Sequence, residues 1–230
     1  MSSVDRVNDP RVGYLVSRAE GKILDVGCVG GDLRLHYARP LSSLHQRIKQ
    51  IHQDAIGLDI NIDGLKRMKQ TDPKSSLICA DACYFPFKDE LFDTVVAGEI
   101  IEHIDNVGFF LDEIYRVLKR GGILLGDTPN AWDLKCIIDL LRGKRETITQ
   151  GTTHVHVFDK YSLELALLQH GFQAKIVYTQ IENRQHIWKL VKVLEKKVYP
   201  TTSHWLSFMA TKISRQRAKT LLSDWMQKIS

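Results

Sequence analysis

Short apolar segments alternate with segments of helical length along most of this chain, and each of the first four apolar segments contains or is followed by an acidic residue. An apolar segment of this length is typical of a strand buried on both faces. The alternation predicts a doubly wound α/β domain with a mostly parallel sheet and helices on both faces. The predicted strands are Lys22–Val26, Ala55–Ile60, Ser76–Ala80, Thr94–Ala97, Ile123–Gly126 and Ala174–Tyr178.

The segments between these strands predict the helices. The most regular one carries Phe109, Leu111, Ile114, Val117 and Leu118 on one face, and Gly121 is predicted to end it as a left-handed cap. Residues 131–142 and 161–170 predict two further helices, and residues 215–230 a helix or a frayed end. Residues 205–213 predict a seventh strand, either antiparallel at the edge of the sheet or inserted into it.

Charge divides the chain into two parts. Residues 181–230 hold ten Lys or Arg against three acids, a net of +7, whereas the whole chain of 230 residues carries +5, which leaves −2 for residues 1–180. We therefore predict a core domain over residues 1–180 and a basic C-terminal extension over residues 181–230 that packs on the core or completes it. A groove that follows nucleic acid should be basic, so a nucleic-acid partner is disfavoured.

The four cysteines lie at positions 28, 79, 83 and 136 without a CxxC pair, which favours a reducing compartment over a disulfide framework. No apolar segment follows Met1 that would predict a signal peptide or a membrane anchor. These features predict a cytoplasmic protein.

A glycine-rich turn follows the first strand and is flanked by acids. Asp25 precedes Gly27, Gly30 and Gly31, a spacing that does not match the G-x-G-x-x-G pattern of dinucleotide-binding proteins. Glycines at this place let the backbone approach a ligand closely. Three more acids, Asp59, Asp81 and Glu99, stand at the ends of the next three strands, on the edge where such sheets bind ligands.

The segments ILDVGCVGGD, GLDI, ADACYFPF, FDTVVAGEIIEHI and VLKRGGILLGDTPN, in this order, resemble the class I S-adenosylmethionine (SAM)-dependent methyltransferases over about residues 20–180. The resemblance implies a Rossmann-like fold of seven strands and SAM as the cofactor. It also implies that the methionine end of SAM lies against Asp25, Gly27 and Gly31. Val29 stands where the family usually has the middle glycine of this turn, with Gly30 beside it.

The same resemblance assigns residues to the ribose and adenine end of the cofactor. Asp59 would hold the ribose hydroxyls, and Ile60 would lie beside the adenine. Asp81 and Ala82 would contact the adenine edge, and Glu99 would begin the loop that faces the sulfonium.

A cluster of acids and histidines follows the fourth strand. If a helix starts at Glu99, it places Glu99, Glu102 and His103 on one face, and a strand through residues 154–158 would return His156, and with it His154, to the same edge. His103 or His156 could then act as a general base beside Glu102. A divalent metal held by Glu99, Glu102, His103 and His156 is an alternative that resembles the small-RNA 2′-O-methyltransferases, and a purely structural role is a third.

The sequence thus predicts a SAM-dependent methyltransferase acting on a small-molecule, lipid-linked or glycan-linked acceptor, with a hydroxyl as the expected methyl acceptor. The alternatives are a metal-assisted RNA 2′-O-methyltransferase and a catalytically silent SAM-binding scaffold. Residues 184–199 predict a basic amphipathic helix that packs on the sheet, forms a homodimer contact or rests on an anionic membrane surface.

Overall fold

The computed structural model describes residues 9–30, 43–143, 153–179 and 204–229. These residues form a single seven-stranded sheet with the order β3-β2-β1-β4-β5-β7-β6. The predicted fold class is confirmed. The strands are β1 (Ile23–Val26), β2 (Ile56–Asp59), β3 (Ser76–Cys79), β4 (Phe92–Gly98), β5 (Leu118–Pro129), β6 (Phe172–Thr179) and β7 (Trp205–Lys212).

Strands β1 to β5 pair in parallel, and the order reverses between β1 and β4. Helices that leave β1 and β4 run to opposite sides of such a reversal, so a crevice opens at the carboxyl ends of these two strands. The glycine turn follows β1 and Glu99 follows β4. The topology therefore places both at the position where sheets of this type bind ligands.

The seventh strand is inserted into the sheet. Strand β7 pairs antiparallel with β5 on one side and with β6 on the other, as the sequence predicts for one of its two alternatives. The amino-terminal end of β7 consequently lies at the same edge as the carboxyl end of β5. Residues from the predicted C-terminal extension thus belong to the sheet, while the boundary at residue 180 stays a prediction.

Helices cover both faces of the sheet. Among the described residues they are α1 (Pro10–Val16), α2 (Ser43–Ile51), α3 (Ile62–Thr71), α4 (Val107–Val117), α5 (Leu134–Leu141), α6 (Lys160–Gln169) and α7 (Arg215–Ile229), with one 3-10 turn at Ile101–His103. Side chains cap the N-terminal ends of two helices. Asn61, two residues after Asp59, caps α3, since its Oδ1 accepts the Gly64 amide at 2.9 Å, and α6 begins in a capping box of Asp159 and Ser162.

The larger core cluster lies between the sheet and helices α4 and α6, and a second one lies under α1 and α2. Strand β1 is buried along its whole length, as are the central residues of β4 and most of β5. This explains why these strands appear in the sequence as continuous apolar segments without polar alternation.

Two features of helix α4 differ from the prediction. Phe109 is 56% exposed, and the neighbouring Phe110 is the aromatic side chain in the core. The helix ends at Val117, where Leu118 already has the extended backbone of β5. Gly121 does have a positive φ of 75°, but it lies within the span of β5 and caps no helix, because the strand begins directly after α4.

Among the described residues, no helix is both long and apolar enough to span a bilayer. Gly31 and residues 184–199, with their predicted membrane or homodimer contacts, lie outside the described residues.

Candidate functional site

The turn after β1 brings the backbone close to the end of β4. Gly27 has a φ of 78°, and its amide donates to the Leu58 carbonyl at 2.8 Å, which ties the turn to the neighbouring strand β2. A Cβ at Gly27 would lie 2.9 Å from Cδ1 of Ile100, in the loop after β4. The positive φ favours glycine at this position, whereas the contact with the end of the Ile100 side chain could be relieved by a small shift of that side chain.

Val29, which departs from the usual glycine of this turn, points away from the ligand edge. Its side chain is buried and packs with Leu65 and Met68 on the inner face of α3. Gly64 makes room for it, because a Cβ at Gly64 would overlap the Val29 methyl groups. The space that the Val29 side chain occupies is thus provided by Gly64 of α3.

Asp59 connects the glycine turn to the end of β2. Its Oδ2 accepts the Val29 amide and its Oδ1 accepts the Asn61 amide, each at 2.9 Å. Burial raises the pKa of this carboxyl above its usual value, and the two backbone donors oppose that shift. The carboxylate is held in one orientation at the crevice, as a group that binds two ribose hydroxyls has to be.

Asp25 lies deeper than expected from the sequence. It is almost completely buried in β1, and its Oδ2 is 2.8 Å from Nδ1 of His45 on α2, which is buried as well. Asp25 therefore fixes α2 against the sheet below the turn. The partner His45 had no signal in the sequence, since it lies in a polar segment twenty residues away.

The predicted adenine contacts follow β2 and β3. Ile60 is 56% exposed at the end of β2, Ala82 is buried, and the Asp81 Oδ1 accepts the Cys83 amide at 2.8 Å. Ile60 offers an apolar surface, and Asp81 a carboxylate at the end of the neighbouring strand, while Ala82 belongs to the core. The arrangement fits a purine ring, which presents both an apolar face and an amino group.

Glu99 is held at the end of β4 by a buried ionic network that the sequence did not predict. It has a positive φ of 50°, and its amide donates to Oδ1 of Asp127 at 3.1 Å. Its Oε1 is 3.3 Å from the Arg11 guanidinium, which also pairs with Asp9 at 2.6 Å and with Asp127 at 3.2 Å. The guanidinium stacks on the ring of Trp205 at 3.9 Å.

This network joins α1 to the ends of β4, β5 and β7. Burial by itself would lower the pKa of Arg11, but the nearby carboxylates Glu99, Asp127 and Asp9 outweigh it and raise the pKa. Burial likewise raises the pKa of Asp127, against the effect of Arg11. Three carboxylates around one guanidinium leave an excess of negative charge, which favours a cationic ligand at this edge.

Glu102 lies in the 3-10 turn and is 1% exposed. Its Oε2 accepts the Thr128 hydroxyl at 3.1 Å, whereas Oε1 has no hydrogen-bond partner among the described residues. Burial raises the pKa of this carboxyl to about 8. At neutral pH the Glu102 side chain is therefore mostly a neutral carboxylic acid.

His103 faces a different histidine from the predicted one. Its Nδ1 is 2.7 Å from the Thr153 hydroxyl, and its ring lies edge-to-face against His154 with centroids 4.7 Å apart. Each of Glu102, His103 and His154 offers one ligand atom, and these three atoms lie within 4.8 Å of one another. These three side chains could bind a divalent metal ion, since a carboxylate and two imidazoles suit Zn²⁺ or Mn²⁺.

The structure does not bring Glu99 or His156 into this group. A 3-10 turn replaces the expected helix, and the positive φ of Glu99 directs its side chain to Arg11. Residues 153–157 do not form a strand, and His154 is the histidine that lies beside His103. Nε2 of His156 instead lies 3.2 Å from the Asp105 carbonyl.

The burial of Glu102 leads to a prediction about stability and pH. Because its pKa is raised from 4.5 to about 8 in the folded protein, folding favours the protonated form, and the free energy of unfolding should fall as pH rises through this range. Glu102→Gln, which cannot ionise, should match the wild type near pH 4.5 and exceed its stability at pH 8.5 by about 1 kcal/mol or more.

Urea unfolding of both proteins at the two pH values measures this difference. The other buried carboxylates titrate in both proteins, so the comparison isolates Glu102. A variant that is less stable than the wild type at both pH values would show that Glu102 is ionised in the fold.

Comparisons with known proteins agree with this geometry. A family model described as a methyltransferase domain matches residues 24–126. The mitochondrial ubiquinone biosynthesis O-methyltransferase of Rattus norvegicus is 30% identical over 173 residues, 70% of this chain and 47% of that protein. A mitochondrial arginine hydroxylase of Danio rerio is 29% identical over 136 residues, 58% of this chain and 39% of that protein.

The chain thus spans less than half the length of these two curated relatives. Among solved structures, a SAM-dependent methyltransferase of Thermotoga maritima, described as a possible histamine N-methyltransferase, superposes with a TM-score of 0.62 at 16% identity. The superposition covers 91% of each chain, which shows a shared fold.

Proposed function

Because this chain belongs to the class I S-adenosylmethionine-dependent methyltransferases, we propose that it transfers a methyl group from SAM to a hydroxyl of a small-molecule, lipid-linked or glycan-linked acceptor. The observation that carries the proposal is the crevice between β1 and β4. There the Gly27 turn, the oriented Asp59 carboxylate and Glu99 lie at the reversal point of the sheet.

The residues at this crevice fit the cofactor. The turn carries glycine at position 27, where φ is positive, so a ligand there would lie against backbone. Asp59 suits the ribose hydroxyls, and Asp81, Ala82 and Ile60 suit the adenine. The acidic network around Glu99 favours the positive charges of the cofactor's sulfonium and ammonium groups.

The bound cofactor supplies an electrophilic methyl group, so the chain itself has to bind, align and exclude water. Alignment of two reactants in one site is worth several kcal/mol of the barrier, up to about 10 kcal/mol in favourable cases. Asp59 and the Gly27 turn fix one reactant. The loop after β4, residues 130–133 and residues 204–205 lie at the same edge of the sheet, and we expect the acceptor to bind beside them.

A hydroxyl acceptor is supported by the similarity to a protein named as an O-methyltransferase. The sequence-predicted bases His103 and His156, with Glu102, stay predictions. His103 lies beside Glu102 and His154, whereas His156 is bonded to the backbone of Asp105.

Transfer of label from methyl-tritiated SAM tests the proposed function. The purified protein is incubated with pooled hydroxyl-bearing metabolites, with lipid extracts and with glycan-lipid extracts, and the product is separated from the cofactor. We expect label in one of these pools. Cofactor binding without transfer to any pool would favour the silent scaffold.

Metal-assisted transfer is the second candidate, supported by the Oε1 of Glu102 that lacks a described partner and by its closeness to His103 and His154. Under the leading proposal, transfer after EDTA treatment should stay within about twofold of the untreated rate. The metal would be favoured if EDTA lowered transfer by more than about tenfold and Mn²⁺ or Zn²⁺ restored it, and if Glu102→Gln abolished transfer. An RNA acceptor has the net charge of −2 over residues 1–180 against it.

A further inference from the structure

A second pair of histidine and carboxylate lies at the ligand edge of the sheet, apart from the cluster around His103. Nδ1 of His204 is 2.7 Å from Oδ2 of Asp133. The Asp133 side chain is 7% exposed and the His204 side chain 33% exposed. Asp133 follows β5, and His204 directly precedes β7. The backbone amide of Asn130 donates to the His204 carbonyl at 3.0 Å, which holds the two segments together.

Contacts connect this pair to the loop after β4. The His204 ring lies edge-to-face against Trp205, with centroids 5.2 Å apart, and the Arg11 guanidinium stacks on Trp205. Arg11 is in turn 3.3 Å from Glu99. One aromatic ring and one guanidinium therefore separate the pair from Glu99, and the pair lies on the side where the acceptor would bind.

The pair has the chemistry of a general base. A carboxylate at Nδ1 holds the proton on that nitrogen, fixes the orientation of the ring and stabilises the imidazolium when it forms. The lone pair then lies on Nε2, which has no hydrogen bond to the residues that the structure describes. The partly exposed ring remains accessible to a ligand.

The contacts of His103 are of a different kind. Its Nδ1 is 2.7 Å from the uncharged Thr153 hydroxyl, and its ring lies against another imidazole, that of His154. Among the described residues, the charged or titratable groups around this pair include the Cys136 thiol, 3.8 Å from Oδ2 of Asp133, and Arg11, which lies behind Trp205.

We propose that His204, oriented by Asp133, is the group that accepts the proton of the acceptor hydroxyl. In this step the acceptor oxygen forms a bond to the methyl carbon, the bond from that carbon to sulfur breaks with its electron pair going to sulfur, and the hydroxyl proton moves to Nε2. The imidazolium then releases the proton to solvent. The proposal rests on the function proposed above and adds the identity of the base.

The test compares methyl transfer by the wild type, His204→Gln and Asp133→Asn across pH 5.5–9, with the labelled cofactor and the acceptor pools described above. His170→Gln is the matched control, because His170 pairs with Asp112 at 3.0 Å but lies at the C-terminal end of α6, away from the crevice. For His204→Gln we expect a loss in kcat of about 100-fold with KM changed less than about threefold. The dependence of the rate on pH should also differ from that of the wild type.

Asp133→Asn should lower kcat by at least about tenfold, and His170→Gln should stay within about twofold of the wild type. Nitrogen-15 NMR of labelled histidine provides a second readout and should show neutral His204 with its proton on Nδ1. A proton on Nε2, or transfer by His204→Gln with the wild-type rate and pH profile, would overturn the proposal. Failure of the wild type itself to transfer label would instead overturn the proposed function, and this inference with it.

Discussion

Replacement of Arg11 by methionine is expected to lower the free energy of unfolding by about 3–5 kcal/mol. The change removes the guanidinium from between Asp9, Glu99 and Asp127, and leaves three acidic groups without their cation, two of them almost fully buried. Methionine fills much of the same volume, so the loss would reflect charge more than a cavity. Urea unfolding at pH 8 measures the effect.

The matched control for this prediction is Arg18→Met. Arg18 is exposed and stacks on Tyr14 at the same 3.9 Å distance at which Arg11 stacks on Trp205, but among the described residues its guanidinium is bonded only to a backbone carbonyl and a serine hydroxyl. Its replacement should cost less than about 1 kcal/mol. Equal losses in both variants would mean that stacking, and not the buried charge network, stabilises α1.

The Arg11 loss should also depend on pH. Burial raises the pKa of Asp127 above the usual value for a carboxyl, so this group can take up a proton as the pH falls. Protonation relieves the uncompensated charge in Arg11→Met. The difference from the wild type should therefore be smaller at pH 5 than at pH 8.

Replacement of Asp59 by alanine is expected to weaken binding of S-adenosylhomocysteine by at least about 100-fold, which corresponds to about 3 kcal/mol. Two hydrogen bonds from ribose hydroxyls to an ionised carboxylate account for this magnitude. Asp59→Ala also removes the acceptor for the Val29 and Asn61 amides and so loosens the glycine turn. Asp59→Asn keeps an oxygen in place and should lose less.

Asp63→Asn is the control for this series. Asp63 lies in the first turn of α3, four residues from Asp59, and its side chain is 73% exposed. The Asp63→Asn protein should bind S-adenosylhomocysteine with a dissociation constant within about twofold of the wild-type value. Calorimetric titration measures all four proteins. Wild-type affinity in Asp59→Ala would place the cofactor elsewhere on the molecule.

The sequence predicts the sheet well because its strands are buried on both faces. Continuous apolar segments such as Lys22–Val26 and Thr94–Ala97 leave few other structures open, and the acids that follow them mark the edge where a ligand binds. The effect of Val29 on the glycine turn could not be predicted from the sequence, because the space for its side chain is created by Gly64 on a helix more than thirty residues away.

The side-chain networks at the crevice could not be predicted, since they join distant parts of the chain. Arg11, Asp127 and Trp205 meet only after α1, β5 and β7 have assembled, and nothing in the local sequence around each of them marks a partner. Local backbone geometry determines which histidine lies beside His103. The 3-10 turn and the irregular path of residues 153–157 place His154 there instead of His156.

The most direct test of the proposed cofactor site is a calorimetric titration of the wild-type protein with S-adenosylhomocysteine, performed before and after EDTA treatment. We expect one binding site per chain with a dissociation constant in the micromolar range or below, unchanged by EDTA. The absence of any binding under both conditions would contradict this expectation, since the crevice at Gly27, Asp59 and Glu99 would then not be a cofactor site.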